Sequence, residues 1–189
     1  PGSMGRAYPG HTVLLVDGNG QEVADDEPGE VVTPLAAPTR FLSYYNDTEK
    51  TDDMKLGPYW RTHDLAVRDE DGYFWYKGRS DDLIKSSGFR IGPAEIEECL
   101  LSHPAVAEVA VIAKPDPDRG SIVKAIINTR PGITGDAELA QMLKDHVKTR
   151  LAGYKAPREI AFVDRFELTT SGKINRRILR EAEQTKSDT

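Results

Sequence analysis

Two apolar runs rich in β-branched residues, at 106–113 and 122–128, stand either side of the loop Pro115-Asp116-Pro117-Asp118-Arg119-Gly120. Such runs form strands, and a loop of this composition turns the chain back on itself. They make the second half of the chain a sheet protein. What surrounds them reads as helix. Gly92-Pro93 opens one helix, with Pro93 near its first position, and Ile96, Cys99 and Leu100 fall on one face before His103-Pro104 stops it. Gly135-Asp136 can cap a second helix running to about Leu151, with Leu139, Met142, Leu143 and Val147 as its core stripe. Residues 159–163 predict a third strand. A last helix over 175–183 turns Ile178, Leu179 and Ala182 inward, ahead of a polar, frayed tail at 184–189. The order helix, strand, strand, helix, strand, helix predicts a small α/β (α+β) domain, a three-stranded sheet with flanking helices.

The first half reads as β-rich. A strand at 12–16 closes in the turn Asp17-Gly18-Asn19-Gly20, and Pro28-Gly29 precedes a short strand at 30–33. Residues 64–68 and 73–77 form the arms of a hairpin around Asp69-Glu70-Asp71-Gly72, where Gly72 suits positive φ. The pattern changes between Arg79 and Asp82. Beyond it, short strand candidates at 82–85 and 89–91 flank Ser86-Ser87-Gly88. Two domains are therefore expected, 1–80 and 81–189.

Composition removes several classes of protein. With 189 residues, 38% of them hydrophobic, the chain can bury a core, so disorder and fibres are excluded. No apolar run nears the roughly 18 residues of a membrane span, and these residues hold no basic-then-apolar leader. Cys99 is the single cysteine, which leaves no internal disulfide; on its helical face it reads as a core residue. His11, His63, His103 and His146 are scattered without metal-ligand spacing. The net charge of −6 is uneven: 8 basic against 15 acidic residues up to position 81, but 11 against 7 from Lys144 onward. This gradient fits two solvated surfaces of different sign, or a C-terminal part that handles a phosphate-rich ligand. It does not fit nucleic acid, because the basic residues are not interleaved with aromatics.

Three segments carry chemistry: Tyr59-Trp60-Arg61-Thr62-His63-Asp64, the stretch GRSDDLIKSSGFRIGPAEIE from Gly78 to Glu97, and Thr169-Thr170-Ser171-Gly172-Lys173-Ile174-Asn175-Arg176-Arg177. Lys173 sits in a tight polar loop before a basic helix; a flexible ammonium with three donors suits a phosphoryl group or a carboxylate. Its plainer role is a solvated loop lysine. Asp64 can accept hydrogen bonds from ribose hydroxyls, or simply cap a turn. Arg79 can bind hydroxyls or phosphate through paired contacts. Gly88 has no side chain, so a ligand or a second backbone can approach it closely.

In this order and spacing the three segments resemble the C-terminal portion of the AMP-forming acyl-CoA synthetases, of the acyl-adenylate-forming superfamily. SGKINRRILR agrees independently at the other end, and PGSMGRAYPG with RIGPAEIEECLLSHPAVAEVAV leans to the medium-chain, acetyl-CoA-synthetase-like branch. The resemblance implies that Asp64 binds the ribose hydroxyls of ATP and that Arg79 contacts the same ribose. It implies that Asp81 is the hinge of a small mobile C-terminal domain, that Gly88 lines the pantetheine tunnel, and that Arg90 lies near the adenylate phosphate. Lys173 resembles the catalytic lysine. ATP, CoA and Mg2+ are the implied cofactors, a small-molecule carboxylic acid the substrate, the N-terminal domain in cis the partner, and the cytoplasm the location. Residues 1–80 would be the last β-rich subdomain of that large domain. Adenylation that loads a carrier protein is a rival reading; a non-catalytic interaction module is another.

The chain departs from the family pattern in places. Thr62-His63-Asp64 stands where the family has Thr-Gly-Asp, so the backbone at His63 is expected to avoid positive φ. Glu167-Leu168-Thr169 replaces the family's Pro-Lys-Thr, which weakens the expectation that Lys173 is acetylated. The phosphate loop, the magnesium ligand and the acyl pocket are expected upstream of Pro1, with these residues a fragment of a longer enzyme. Pro1-Gly2-Ser3 ahead of Met4 reads as a cloning remnant or as part of the family's own run. The 189 residues alone are expected to release no pyrophosphate from a carboxylic acid and ATP, which a phosphate-release assay coupled to pyrophosphatase checks.

Overall fold

Asp17 closes the first strand with its side chain, accepting the backbone N–H groups of Asn19 (2.8 Å) and Gln21 (2.9 Å). The computed structural model describes residues 2–39 and 41–187 and divides into two compact units, the first ending at Asp81 and the second beginning at Asp82. In the first unit, β1 (Leu14–Val16) pairs antiparallel with β2 (Pro28–Pro34). A short helix α1 (Thr48–Asp53), capped by Asp47, leads to β3 (Lys55–Leu56), β4 (Tyr59–Arg68) and β5 (Phe74–Arg79). The sheet order is β1-β2-β4-β3, with β5 also on β4. Leu15, Ala66 and Phe74 form its buried centre, with Val13, Val23 and Val31 packed against them.

The second unit starts with a hairpin of β6 (Ile84–Ser86) and β7 (Phe89–Ile91). Then follow α2 (Pro93–Leu101), β8 (Val106–Asp116), β9 (Gly120–Thr129), α3 (Ala137–Arg150), β10 (Glu159–Phe162) and α4 (Arg176–Ser187). The sheet order is β10-β9-β8, antiparallel between β8 and β9 and parallel between β9 and β10. This is the small three-stranded sheet with flanking helices that the sequence predicts.

The long strands are apolar without alternation because both faces of the sheet are covered. Val109, Val111, Ala125 and Ile127 pack with Ile96 and Leu100 of α2 and Leu139, Leu143 and Val147 of α3. Ala110, Ile112 and Ile126 point the other way, toward Phe166, Ile174 and Leu179. Asp136 caps α3 by accepting the Leu139 N–H at 2.8 Å.

Three expectations about these helices are corrected. Met142 is half exposed, on the edge of the α3 stripe. Ala182 faces solvent, and its neighbour Glu183 is buried instead. The chain stays helical to Ser187 where fraying is expected from 184; residues 188 and 189 lie outside the described residues. For α4 the reason is charge pairing. Lys124, buried on β9, forms ion pairs with Glu183 Oε2 at 2.8 Å and Glu159 Oε1 at 2.6 Å, and Lys114 reaches Glu159 Oε2 at 2.6 Å. Burial alone would lower the Lys124 pKa, but the two carboxylates outweigh it and hold it above the usual lysine value.

A buried carboxylate deprived of its cation is costly. Lys124→Met is expected to destabilise the second unit by about 3 kcal/mol or more. Urea unfolding followed by far-UV circular dichroism checks this.

Candidate functional site

The last strands of the first unit carry a bulge. Glu30 on β2 pairs with Leu65 on β4, yet Val32 pairs with Arg61, so two steps along β2 span four along β4. Thr62, His63 and Asp64 stand opposite Val31 alone, an excess of two residues. His63 takes φ +63°, correcting the expectation that a residue with a side chain avoids that region. Histidine tolerates it better than most residues, and here the strain is held by bonds. The His63 N–H donates to Glu30 Oε1 (3.1 Å), and its carbonyl accepts the Ser80 N–H (2.7 Å). Its Nδ1 lies 3.7 Å from Glu30 Oε1.

Glu30 organises this bulge. Its carboxylate is 6% exposed and takes Arg61 Nε at 3.0 Å, Arg61 Nη2 at 2.7 Å and the Ser80 hydroxyl at 3.2 Å. Burial pushes its pKa up, but the Arg61 fork and the nearby His63 outweigh that and hold it below the usual carboxylate value. A lone acid inside the apolar run Glu30-Val31-Val32 is the sequence signal for this, and it escapes a reading that looks for strands.

The bulge aims Asp64 at Arg79, its cross-strand partner on β5. Arg79 Nη1 donates to Asp64 Oδ1 (3.2 Å) and, more weakly, to the Thr62 carbonyl (3.4 Å). Arg79 Nε and Nη2 donate to the two oxygens of Asp81, each at 2.9 Å. Burial raises the Asp81 pKa, and this fork more than reverses the shift. Asp64 and Arg79 remain 40% and 37% exposed, so a ligand can reach them. Arg79 engages Oδ1 of Asp64. The carboxylate can also accept from the hydroxyls of a vicinal diol. Three of the residues singled out from sequence, Asp64, Arg79 and Asp81, thus form one contiguous group.

The remaining three lie in the second unit. Gly88 occupies the two-residue turn between β6 and β7, where Ser87 has φ +48° and Gly88 φ +84°, a mirror-image turn that a glycine enters without strain. A Cβ at Gly88 would meet nothing within 4 Å, so its free approach is open. Arg90 on β7 is exposed, opposite Lys85. The hairpin is latched to the β8–β9 loop, with the Ser121 hydroxyl donating to the Lys85 carbonyl at 2.6 Å and Arg119 donating to the Ser87 hydroxyl at 3.2 Å. Phe89 stacks on Tyr154 at 4.3 Å between ring centroids. Tyr154 in turn lines a pocket of about 250 Å³ with Lys144, Lys148 and Arg158.

Lys173 lies on a separate loop. Leu168 and Ile174 form an isolated bridge at its base, and the Thr169 N–H donates to the Lys173 carbonyl at 2.7 Å. Gly172, at φ +79°, lets the chain turn. The Thr169 hydroxyl accepts the Lys173 N–H at 3.2 Å. The lysine side chain itself is exposed, and among the described residues its ammonium carries no hydrogen bond or ion pair. No group of three or more His, Cys, Asp and Glu able to hold a metal ion occurs among the described residues.

Residues 95–173 match the AMP-binding enzyme C-terminal domain. An acyl-CoA ligase of Bacillus subtilis, YtcI, is 45% identical over 184 residues, covering 97% of this chain and 35% of its own length. Along nearly its whole length, the relatives of this chain are acyl-CoA synthetases. The human mitochondrial acyl-coenzyme A synthetase ACSM5 is 46% identical over 188 residues, 96% of this chain and 32% of that protein. Among solved structures, the anthranilate CoA ligase AuaEII in complex with anthranoyl-AMP is 38% identical with a TM-score of 0.85, covering 100% of this chain and 36% of that one. The chain thus spans about a third of the length of the curated relatives it matches. 

The left-handed backbone at residue 63 gives a direct test. His63→Val, which puts a β-branched residue there, is expected to cost the first unit about 1–3 kcal/mol, whereas His63→Gly keeps the bulge. Both tryptophans, Trp60 and Trp75, lie in the first unit, so their fluorescence during urea unfolding reports on it alone.

Proposed function

We propose that this chain is the C-terminal part of an ATP-dependent acyl-CoA synthetase. A carboxylate oxygen attacks the α-phosphorus of ATP, the bond to pyrophosphate breaks, and acyl-AMP forms. The sulfur of CoA then attacks the acyl carbon, and AMP leaves with the electrons of the broken C–O bond. The observation that carries the reading is the Asp64–Arg79 pair, an exposed carboxylate held by a guanidinium at 3.2 Å, in a chain 45% identical to an acyl-CoA ligase.

Asp64 accepts from the ribose hydroxyls, and Arg79 orients Asp64 and contacts the same sugar. Lys173 neutralises charge as two anionic reactants meet, which is most of what a protein contributes to such a transfer. Its uncommitted ammonium supports this role. Arg90 lies near the adenylate phosphate. Gly88 lines the path of the pantetheine thiol, and the open space around it supports that use. The pocket of Lys144, Lys148, Arg158 and Tyr154 supplies cations for the phosphate groups of CoA. Magnesium chemistry and the acyl pocket belong to the N-terminal domain in cis. The proposed working location is the cytoplasm; among the described residues no helix is long and apolar enough to cross a membrane.

One lysine cannot stay over the phosphate while a thiol enters from the same side. Rotation about Asp81 resolves this. Arg79 grips Asp81 from within the first unit, and Arg180 of α4 grips Asp82 from within the second. These grips support a pivot confined to the bonds between the two aspartates.

In the full-length protein, Lys173→Ala is expected to abolish pyrophosphate release while sparing thioester formation from supplied acyl-adenylate. Gly88→Asn, which tolerates the positive φ of the turn but fills its space, is expected to do the reverse. Chromatography of the products from ATP, magnesium, CoA and a ladder of carboxylic acids checks both. Acyl-adenylate that accumulates in the unaltered protein without thioester would move the reading to a carrier-protein loader.

A further inference from the structure

Arg176 opens α4, three residues beyond Lys173, and reaches Glu97 on α2. Its Nη2 donates to Glu97 Oε1 at 2.9 Å and to Oε2 at 2.8 Å. The Glu97 side chain is 13% exposed, and its Oε1 also accepts the Val111 N–H of β8 at 2.8 Å. One carboxylate therefore ties together α2, β8 and the first residue of α4.

The Lys173 loop hangs from this point. Its N-terminal stem begins just after the buried Phe166. Its C-terminal stem runs from Lys173 through Asn175, whose N–H donates to the Glu167 carbonyl at 2.9 Å, to Arg176. The helix does not need this pair to dock, because Glu183 with Lys124, Arg180 with Asp82, and Leu179 in the core already hold α4. What the pair adds is a fixed point for the loop stem.

We propose that Glu97 and Arg176 are positioning residues for Lys173, fixing where the loop leaves the domain so that the ammonium reaches the reacting phosphate. This rests on the reading of Lys173 given above. Groups held in line for transfer are sensitive to small displacements, about 1 Å being enough to cost roughly a hundredfold in rate. A tether three residues from the ammonium sets that displacement. Neither residue touches substrate; both act through the loop.

The test uses the full-length protein and carboxylate-dependent exchange of pyrophosphate into ATP. Arg176→Met is expected to lower kcat for exchange by roughly a hundredfold, with KM for ATP and thioester formation from supplied acyl-adenylate unchanged. Arg176→Lys is expected to recover part of the loss. Glu97→Gln, which keeps an acceptor for the Val111 N–H but loses the charge, is expected to follow Arg176→Met. Hydrogen exchange is expected to speed up at the Lys173 and Asn175 amides while β8 and β9 stay protected. Full exchange activity in Arg176→Met, beside a dead Lys173→Ala, overturns the positioning role alone. So does an equal loss of both half-reactions with protection lost throughout the second unit, which marks a purely structural pair. Full exchange activity in Lys173→Ala overturns the reading of Lys173 and the positioning role with it.

Discussion

A carboxylate taken out of water must be surrounded by donors, and this requirement shapes both units. In the first, Glu30 is satisfied only if β4 swells around it, bringing the His63 amide, the Arg61 fork and the Ser80 hydroxyl to one point. The bulge is the geometric result, and the aim of Asp64 at Arg79 follows from the bulge. In the second, Glu183 is paired with Lys124, which helps fix how α4 lies on the sheet. Charges that would each oppose folding if left alone become the parts that set register and orientation.

The second unit was largely legible in its sequence, because its elements are written in local signals. The apolar runs of β8 and β9, the Pro93 start of α2 and the Asp136 cap of α3 each act within a few residues of themselves. The failures lie where a distant partner decides. Ala182 looks apolar and inward, but the burial of Glu183 against Lys124 rotates α4 so that Ala182 meets solvent. The short elements α1 and β3 have too few residues to show a period at all.

The candidate site divides in the same way. Asp64 and Arg79 were recognisable as types in a motif, and the register of β4 with β5 brings them into contact. The backbone at His63 is not legible in the sequence, because steric preference alone disfavours positive φ for a residue with a side chain. A hydrogen bond to Glu30 and one from Ser80 reverse that preference, and both residues lie far from His63 in sequence. Glu30 itself went unnoticed because an acid in a short strand has no chemical neighbours until the sheet forms.

β8 is eleven residues long, buried at Val106 and from Val109 to Ile112, and lies at the edge of its sheet. A flat, apolar strand with free amides is a template on which another chain can add itself. At Val111 the outward amide is already occupied by Glu97. The carboxylate that anchors the start of α4 thus also guards against edge-to-edge aggregation, and loss of its acceptor atoms would leave a solubility defect even in a protein that still folds.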